Sequence, residues 1–154
     1  GTFVSKKITS GLVKIKLGLQ KTLYLGNLDS KRDWGHAEDY MFAAWKILQQ
    51  KKPDDFCIGT GVQYSIREFI EKVCKKLNIS IKWQGSGFKE VALNQNNIFI
   101  RVSKRYFRPT EVDSLRADFS KAKKELKWIP KKNIDDLIDE MIKSENKILL
   151  NEPK

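Results

Sequence analysis

Acidic side chains, cysteine, histidine and long apolar runs are what this chain has least of, and each shortage closes off a class of protein. The two cysteines, Cys57 and Cys74, stand seventeen positions apart with no third and no Cys-x-x-Cys, so neither a disulfide framework nor a zinc site has its ligands. Both read as buried thiols in a reducing compartment. The one histidine, His36, has no serine or cysteine motif around it, which leaves a nucleophilic triad without parts and favours a hydrogen-bonded structural role. No stretch approaches the roughly 18 consecutive apolar residues of a membrane span. Residues 1–20 scatter four lysines among their apolar positions, unlike the charged head and hydrophobic run of an export signal. The expectation is a soluble, cytoplasmic product with no membrane partner. At 154 residues, 40% apolar and 32% charged, the chain fits one domain or part of a larger one, not a disordered segment.

The acid shortage leaves 30 basic side chains against 19 acidic ones, a net charge of +11, and the excess is unevenly placed. Residues 1–32 hold seven basic groups and one acid, and residues 101–132 hold eleven and four. The middle, 33–100, is nearly balanced at nine against eight, and the tail from Asn133 is acidic at three against six. Two basic segments around a neutral middle suit a site that grips one small phosphorylated ligand from two sides, with solvated surface as the plain alternative. No nucleic-acid motif or aromatic platform accompanies the lysines, so a nucleic-acid partner is discounted.

Apolar periodicity predicts an amphipathic helix over Phe3–Gln20, on Val4, Ile8, Leu12, Ile15 and Leu19, then a strand Thr22–Leu25 broken by Gly26-Asn27. A helix over Asp39–Gln50 should bury Tyr40, Ala43, Ala44, Ile47 and Leu48. Phe56-Cys57-Ile58 reads as a buried parallel strand ending at Gly59-Thr60-Gly61. Ser65-Ile66-Arg67-Glu68 is a capping box that opens a helix with Ile66, Phe69, Ile70, Val73 and Leu77 inward. Strands follow at Ile79–Trp83 and Ile98–Val102 with a polar loop between them, then a short helix Asp118–Leu126. Asn133 caps a final helix with Asp135 and Asp136 in its first turn, where the helix dipole favours acids. The alternation makes an α/β fold with short strands and about five helices, whose sheet is too small to be complete.

Three motifs invite chemistry. Gly59-Thr60-Gly61 is half of a dinucleotide fingerprint, but Tyr64 occupies the third glycine position, and a strand terminus is the better reading. Arg32-Asp33-Trp34-Gly35-His36 and the run Arg105 to Asp113 each set arginine beside aromatics and a carboxylate in a loop. A guanidinium fork there can grip phosphate, or it can close an internal ion pair that fixes the loop, and the residues alone leave both open.

Leu25-Gly26-Asn27-Leu28-Asp29-Ser30-Lys31-Arg32-Asp33-Trp34-Gly35-His36-Ala37, with Asp39-Tyr40, closely resembles the hallmark of GDP-mannose 4,6-dehydratases. Further blocks match in order: Thr2 to Thr9, Thr60 to Phe69, Arg105 to Asp113, and Lys121 to Leu126 with Trp128-x-Pro130. The likeness runs from residue 2 to about residue 145. It implies the C-terminal substrate domain of an extended short-chain dehydrogenase/reductase. Residues 1–154 are then a single, partial nucleotide-sugar-binding domain, and the N-terminal NADP-binding Rossmann domain is absent. The family's enzymes oxidise mannose C4 with NADP, remove water across C5 and C6 and return hydride to C6, giving GDP-4-keto-6-deoxymannose. None of Tyr24, Tyr40, Tyr64 and Tyr106 is followed by Lys four positions on, so the family's Tyr-x-x-x-Lys pair is not here. No catalytic, cofactor-binding or metal-binding residue is expected in this stretch, and alone it should be inactive.

What the resemblance does place here is the handle for GDP-mannose: Lys7, Arg32 and Arg108 on the diphosphate and Glu111 on the ribose. Lys6 stands where the family usually has arginine, which puts a phosphate role there in doubt. Tyr106 and Phe107 either wall the site or pack in the core. The implied partners are GDP-mannose and the Rossmann half, with a homo-oligomer left open. A stand-alone, non-catalytic guanine-nucleotide or protein-binding module is the alternative.

Overall fold

The computed structural model describes residues 3–107, 110 and 112–151. Helix α1, Val4–Lys16, buries Ile8, Leu12 and Val13 and ends before Leu19, which is exposed. Strand β1, Leu23–Leu25, leaves it and turns Leu23 and Leu25 inward. After the two-residue strand β2, Lys31–Arg32, helix α2 runs Ala37–Leu48. Strand β3, Tyr64–Ser65, pairs antiparallel with β2 and leads directly into helix α3, Ile66–Lys76. The expected capping box is present: the Ser65 hydroxyl accepts from Glu68 N–H while the Glu68 carboxylate accepts from Ser65 N–H at 2.6 Å. Strands β4, Lys82–Gln84, β5, Val91–Asn94, and β6, Asn97–Val102, precede helices α4, Ser120–Glu125, and α5, Ile134–Asn151. Asn133 caps α5 as its sequence asked, its Oδ1 accepting from the N–H groups of Asp135 and Asp136.

The larger sheet has the order β1-β6-β5-β4. Only the β1–β6 pairing is parallel; β5 pairs antiparallel with both neighbours. Strand β5 was not expected, since it lies inside the stretch read as a polar loop. Its short Val-Ala-Leu-Asn run is joined to β6 by Gln95-Asn96, with Gln95 held at φ 53° in the left-handed region. Helices α1, α3 and α5 pack on this sheet around Phe69, Ile70, Val73, Ile100 and Ile138, all of them sealed from solvent.

A second, smaller core joins α2 and α4 through Ala43, Ala122, Leu126 and Trp128, with Phe56 and Ile58 packed against it. Three expectations need correction here. Phe56–Ile58 forms no strand, because no neighbouring strand offers it a hydrogen-bond ladder among the described residues. Cys57 is exposed, not buried, since its flanking residues take the inward positions; Cys74 is buried, and burial pushes its thiol pKa up to about 12. Leu48 is 80% exposed, and Met41, Phe42 and Trp45 are also exposed along α2, because the small core accommodates only one side of the helix. Among the described residues no helix is long and apolar enough to cross a membrane.

Candidate nucleotide site

The motif Arg32 to His36 is a set of ties between distant segments. Asp33 accepts hydrogen bonds from the N–H and hydroxyl of Thr60 at 2.9 and 2.6 Å, from Gly61 N–H at 2.8 Å and from Ala117 N–H at 3.2 Å. One carboxylate thereby ties its own segment to two others, Thr60-Gly61 and Ala117. It also settles Gly59-Thr60-Gly61: the amides that a dinucleotide phosphate would need already donate to Asp33, and Gly61 supplies the φ of 75° that lets the turn wrap around it. Trp34 packs on Phe69 with ring centroids 4.7 Å apart. His36 caps α2, its Nδ1 accepting from Glu38 N–H and its Nε2 lying 2.8 Å from Glu140 Oε2. The structural reading of the histidine holds.

Arg32 does not pair with Asp33. Its Nη1 donates to the Lys31 carbonyl at 2.8 Å and to the Val112 carbonyl at 2.6 Å. Beside it, Lys31 N–H donates to the Asp113 carbonyl and Leu115 N–H donates to the Lys31 carbonyl, so β2 holds the far end of the Arg105–Asp113 run. The near end is held beside Lys7. Its Nζ sits 3.3 Å above the centroid of the Tyr106 ring, a cation–π contact, and burial first, then the charge of Arg105, lower its pKa. Gly26 permits this approach: a Cβ there would lie 2.1 Å from the Tyr106 carbonyl oxygen. Ser103 N–H donates to the Leu25 carbonyl and fixes the same corner.

Lys7 and Arg32 thus mark the two ends of one loop, six residues apart along it at Tyr106 and Val112, a contour of about 20 Å at most. Arg108 and Glu111 fall between Tyr106 and Val112 in sequence and lie outside the described residues. Lys6 forms an ion pair with Glu145 of α5, a residue only 4% exposed, so the position that departs from the arginine of the resemblance is occupied in packing α1 on α5. Tyr106 and Phe107 are 44% and 40% exposed and stand clear of both cores.

An unforeseen cluster adjoins this corner. A cleft of about 210 Å³ opens beyond β1, lined by Gly26, Asn27, Asp29, Phe88, Glu90 and Phe107 among others. At its rim Arg67 donates to both oxygens of Glu90 and, through Nε and Nη2 at 3.3 and 3.0 Å, to Asp29 Oδ1. The Arg67 guanidinium also lies 4.6 Å from the centroid of the Trp83 ring. Arg67 sits in the capping-box segment and Asp29 in the hallmark segment, but nothing in either run signals that they meet. No metal-ligating cluster occurs among the described residues.

The same α/β fold recurs in solved structures of low sequence identity. The structure of RMD from Pseudomonas aeruginosa complexed with NADPH superposes with a TM-score of 0.75 at 19% identity, over 95% of this chain and 43% of that one. The dTDP-glucose 4,6-dehydratase of Bacillus anthracis, solved with NAD, gives 0.69 at 19% identity, over 94% and 39%. Residues 1–141 match the family model described as GDP-mannose 4,6 dehydratase, and the chain belongs to that family. The GDP-mannose 4,6-dehydratase of Vibrio cholerae is 43% identical over 96% of this chain and 43% of its own length. That of Dictyostelium discoideum is 44% identical over 99% and 44%, and that of Homo sapiens 42% identical over 98% and 41%. The chain spans less than half the length of these curated relatives.

Proposed function

We propose that this chain is the nucleotide-sugar-binding portion of an enzyme that converts GDP-mannose to GDP-4-keto-6-deoxymannose, a lyase reaction completed only when an NADP-binding Rossmann portion is joined to it. The observation that carries this reading is the anchored loop. Segments distant in sequence set Lys7 at one end of the run that bears Arg108 and Glu111, and Arg32 at the other. Cations so spaced can neutralise a diphosphate and fix its register, which lets binding energy far from the sugar orient the reacting carbons.

The described residues do not fit the dinucleotide cofactor: the Thr60 and Gly61 amides are already committed to Asp33, and no Tyr-x-x-x-Lys pair is present. NADP therefore falls to the Rossmann portion, and 1–154 is a single substrate-binding domain in this reading. The face that would meet that portion is α2, where Met41, Phe42, Trp45 and Leu48 are exposed, together with the unladdered Phe56–Ile58 segment.

Calorimetric titration of the chain with GDP-mannose and GDP is the test. Binding of both, with Arg32→Ala weakening each by roughly 1.5 to 3 kcal/mol, is the expected result. Absence of any GDP-mannose affinity, or formation of the 4-keto product by this chain with NADP alone, would overturn the proposal.

A further inference from the structure

Lys7 is held in a way that sets it apart from the other cations near this corner. Lys6 forms an ion pair with Glu145, and Arg67 is committed to Glu90 and Asp29. Lys7 pairs with no carboxylate among the described residues; its ammonium rests on the face of Tyr106, 3.3 Å from the ring centroid. The difference matters for a cation that must meet an anionic ligand. A carboxylate would fix the ammonium but cancel its charge and compete with phosphate, whereas an aromatic face fixes it and leaves its charge whole.

The ring keeps its place without help from Lys7. Tyr106 N–H donates to the Ser103 carbonyl at 3.0 Å and Phe107 N–H to the Lys104 carbonyl at 3.1 Å, closing a tight turn just after β6. Ser103 N–H is in turn tied to the Leu25 carbonyl, and Gly26 leaves room for the Tyr106 carbonyl where a Cβ would not. A fixed surface thus meets the flexible four-carbon stem of a lysine, whose rotamer freedom would otherwise be lost on binding a ligand. The same ring has a second cation beside it, Arg105, with its guanidinium 6.0 Å from the centroid and no carboxylate partner among the described residues. Two cations gathered on one ring repel each other, and an anion completes the arrangement.

We propose that Tyr106 is the positioning residue of Lys7: its ring seats the ammonium at the diphosphate grip, with its charge undiminished, and does not itself touch the ligand. The inference rests on the proposed function and adds to the grip a residue that acts only through Lys7. The phenol hydroxyl has no part in this role, since it makes no hydrogen bond among the described residues. What counts is the negative face of the ring.

Calorimetry of the chain with GDP tests it, because the diphosphate is what Lys7 would meet. Tyr106→Phe keeps the ring and should bind GDP within about twofold of the unaltered chain, whereas Tyr106→Leu should weaken binding about fivefold, the size of a half-buried cation–π contact. Tyr106→trifluorophenylalanine keeps the shape of the phenylalanine ring while draining its negative face, so it should behave like the leucine variant; a merely structural role would leave it like phenylalanine. In a Lys7→Met background none of these changes should weaken binding further. The Tyr106 ring lies clear of both cores, so the replacements leave the fold in place. If the unaltered chain binds GDP but the fluorinated ring matches phenylalanine, or the losses persist without Lys7, the positioning role falls and the diphosphate grip stands. Tighter binding by Tyr106→Leu would likewise overturn it, because the ring would then restrain Lys7 from the ligand. If the unaltered chain binds no GDP, the proposed function falls and this inference with it.

Discussion

Replacing Asp33 by asparagine probes the tie on which the site's framework depends. The carboxylate accepts four hydrogen bonds, three of them from main-chain amides of Thr60, Gly61 and Ala117. Asparagine keeps one acceptor oxygen and turns an amide nitrogen toward the remaining donors, so about two bonds survive and a donor faces a donor. A hydrogen bond to a charged group contributes about 1.5 to 3 kcal/mol, and Asp33 is only half-buried, which puts each loss at the lower end. The total loss is about 3 to 4 kcal/mol, a large part of the stability of an ordinary domain. With a urea slope on the order of 2 kcal/mol/M, the unfolding midpoint should fall by about 1.5 to 2 M. Tryptophan fluorescence reports the transition, since Trp34 neighbours Asp33 and packs on Phe69. A midpoint shift under about 0.3 M at unchanged slope would mean that water satisfies these donors in the variant, and the argument that Asp33 latches three segments would be wrong.

Other consequences follow from groups whose environment is equally defined. Lys7 has a lowered pKa in the free chain, from burial and then from Arg105, and a diphosphate should draw it back up. Nucleotide binding at alkaline pH should therefore take up protons, visible as a dependence of the calorimetric heat on buffer ionisation enthalpy and absent in Lys7→Met. Cys57 is exposed while burial holds Cys74 up to about 12, so iodoacetamide should label one thiol in the native chain and two in denaturant, counted by mass spectrometry. Glu68 has its pKa lowered, chiefly by the Ser65 N–H and then by the Ser65 hydroxyl. A depressed carboxyl contributes stability above its unfolded value of about 4.3 that is lost as pH falls through the folded value, so Glu68→Gln should flatten the decline of stability in acid.

The helices were legible because each announces itself locally. Ser65 and Glu68 close a box three residues wide, Asn133 caps its own helix, and α3 repeats its apolar positions at a spacing that only a helix brings to one face. Strand β5 was not legible, because four residues with polar flanks become a strand only when β4 and β6 lie on either side. The candidate site divides the same way. Lys7 and Arg32 were nameable from residue type and block, but the tether of Arg32 to the Val112 carbonyl and the meeting of Asp29, Arg67 and Glu90 come from segments decades of residues apart in the chain. For Asp33 the residues left the role open, and only the fold shows the Thr60, Gly61 and Ala117 amides converging on it.

Two of the places where sequence and structure disagree, Phe56–Ile58 and Leu48, belong to the segments around the smaller core. Phe56-Cys57-Ile58 has the composition of a strand buried on both faces, and Leu48 belongs to an apolar stripe wider than the small core can cover. Local composition records the environment in which a segment is stable, whereas the described residues offer that segment no ladder and that stripe no cover. The exposed Phe42 and Trp45 rings stack at 5.7 Å along the same helix, with Lys46 and Lys131 above Phe42. An apolar strand beside an apolar helix face is the unit that extends a parallel sheet by one strand and one covering helix. In the proposed function that sheet is the Rossmann portion's, which would bury α2 and give Phe56–Ile58 its ladder. The anchored loop stands apart from this requirement, because its ties to Lys7, Gly26 and Lys31 are complete within the chain.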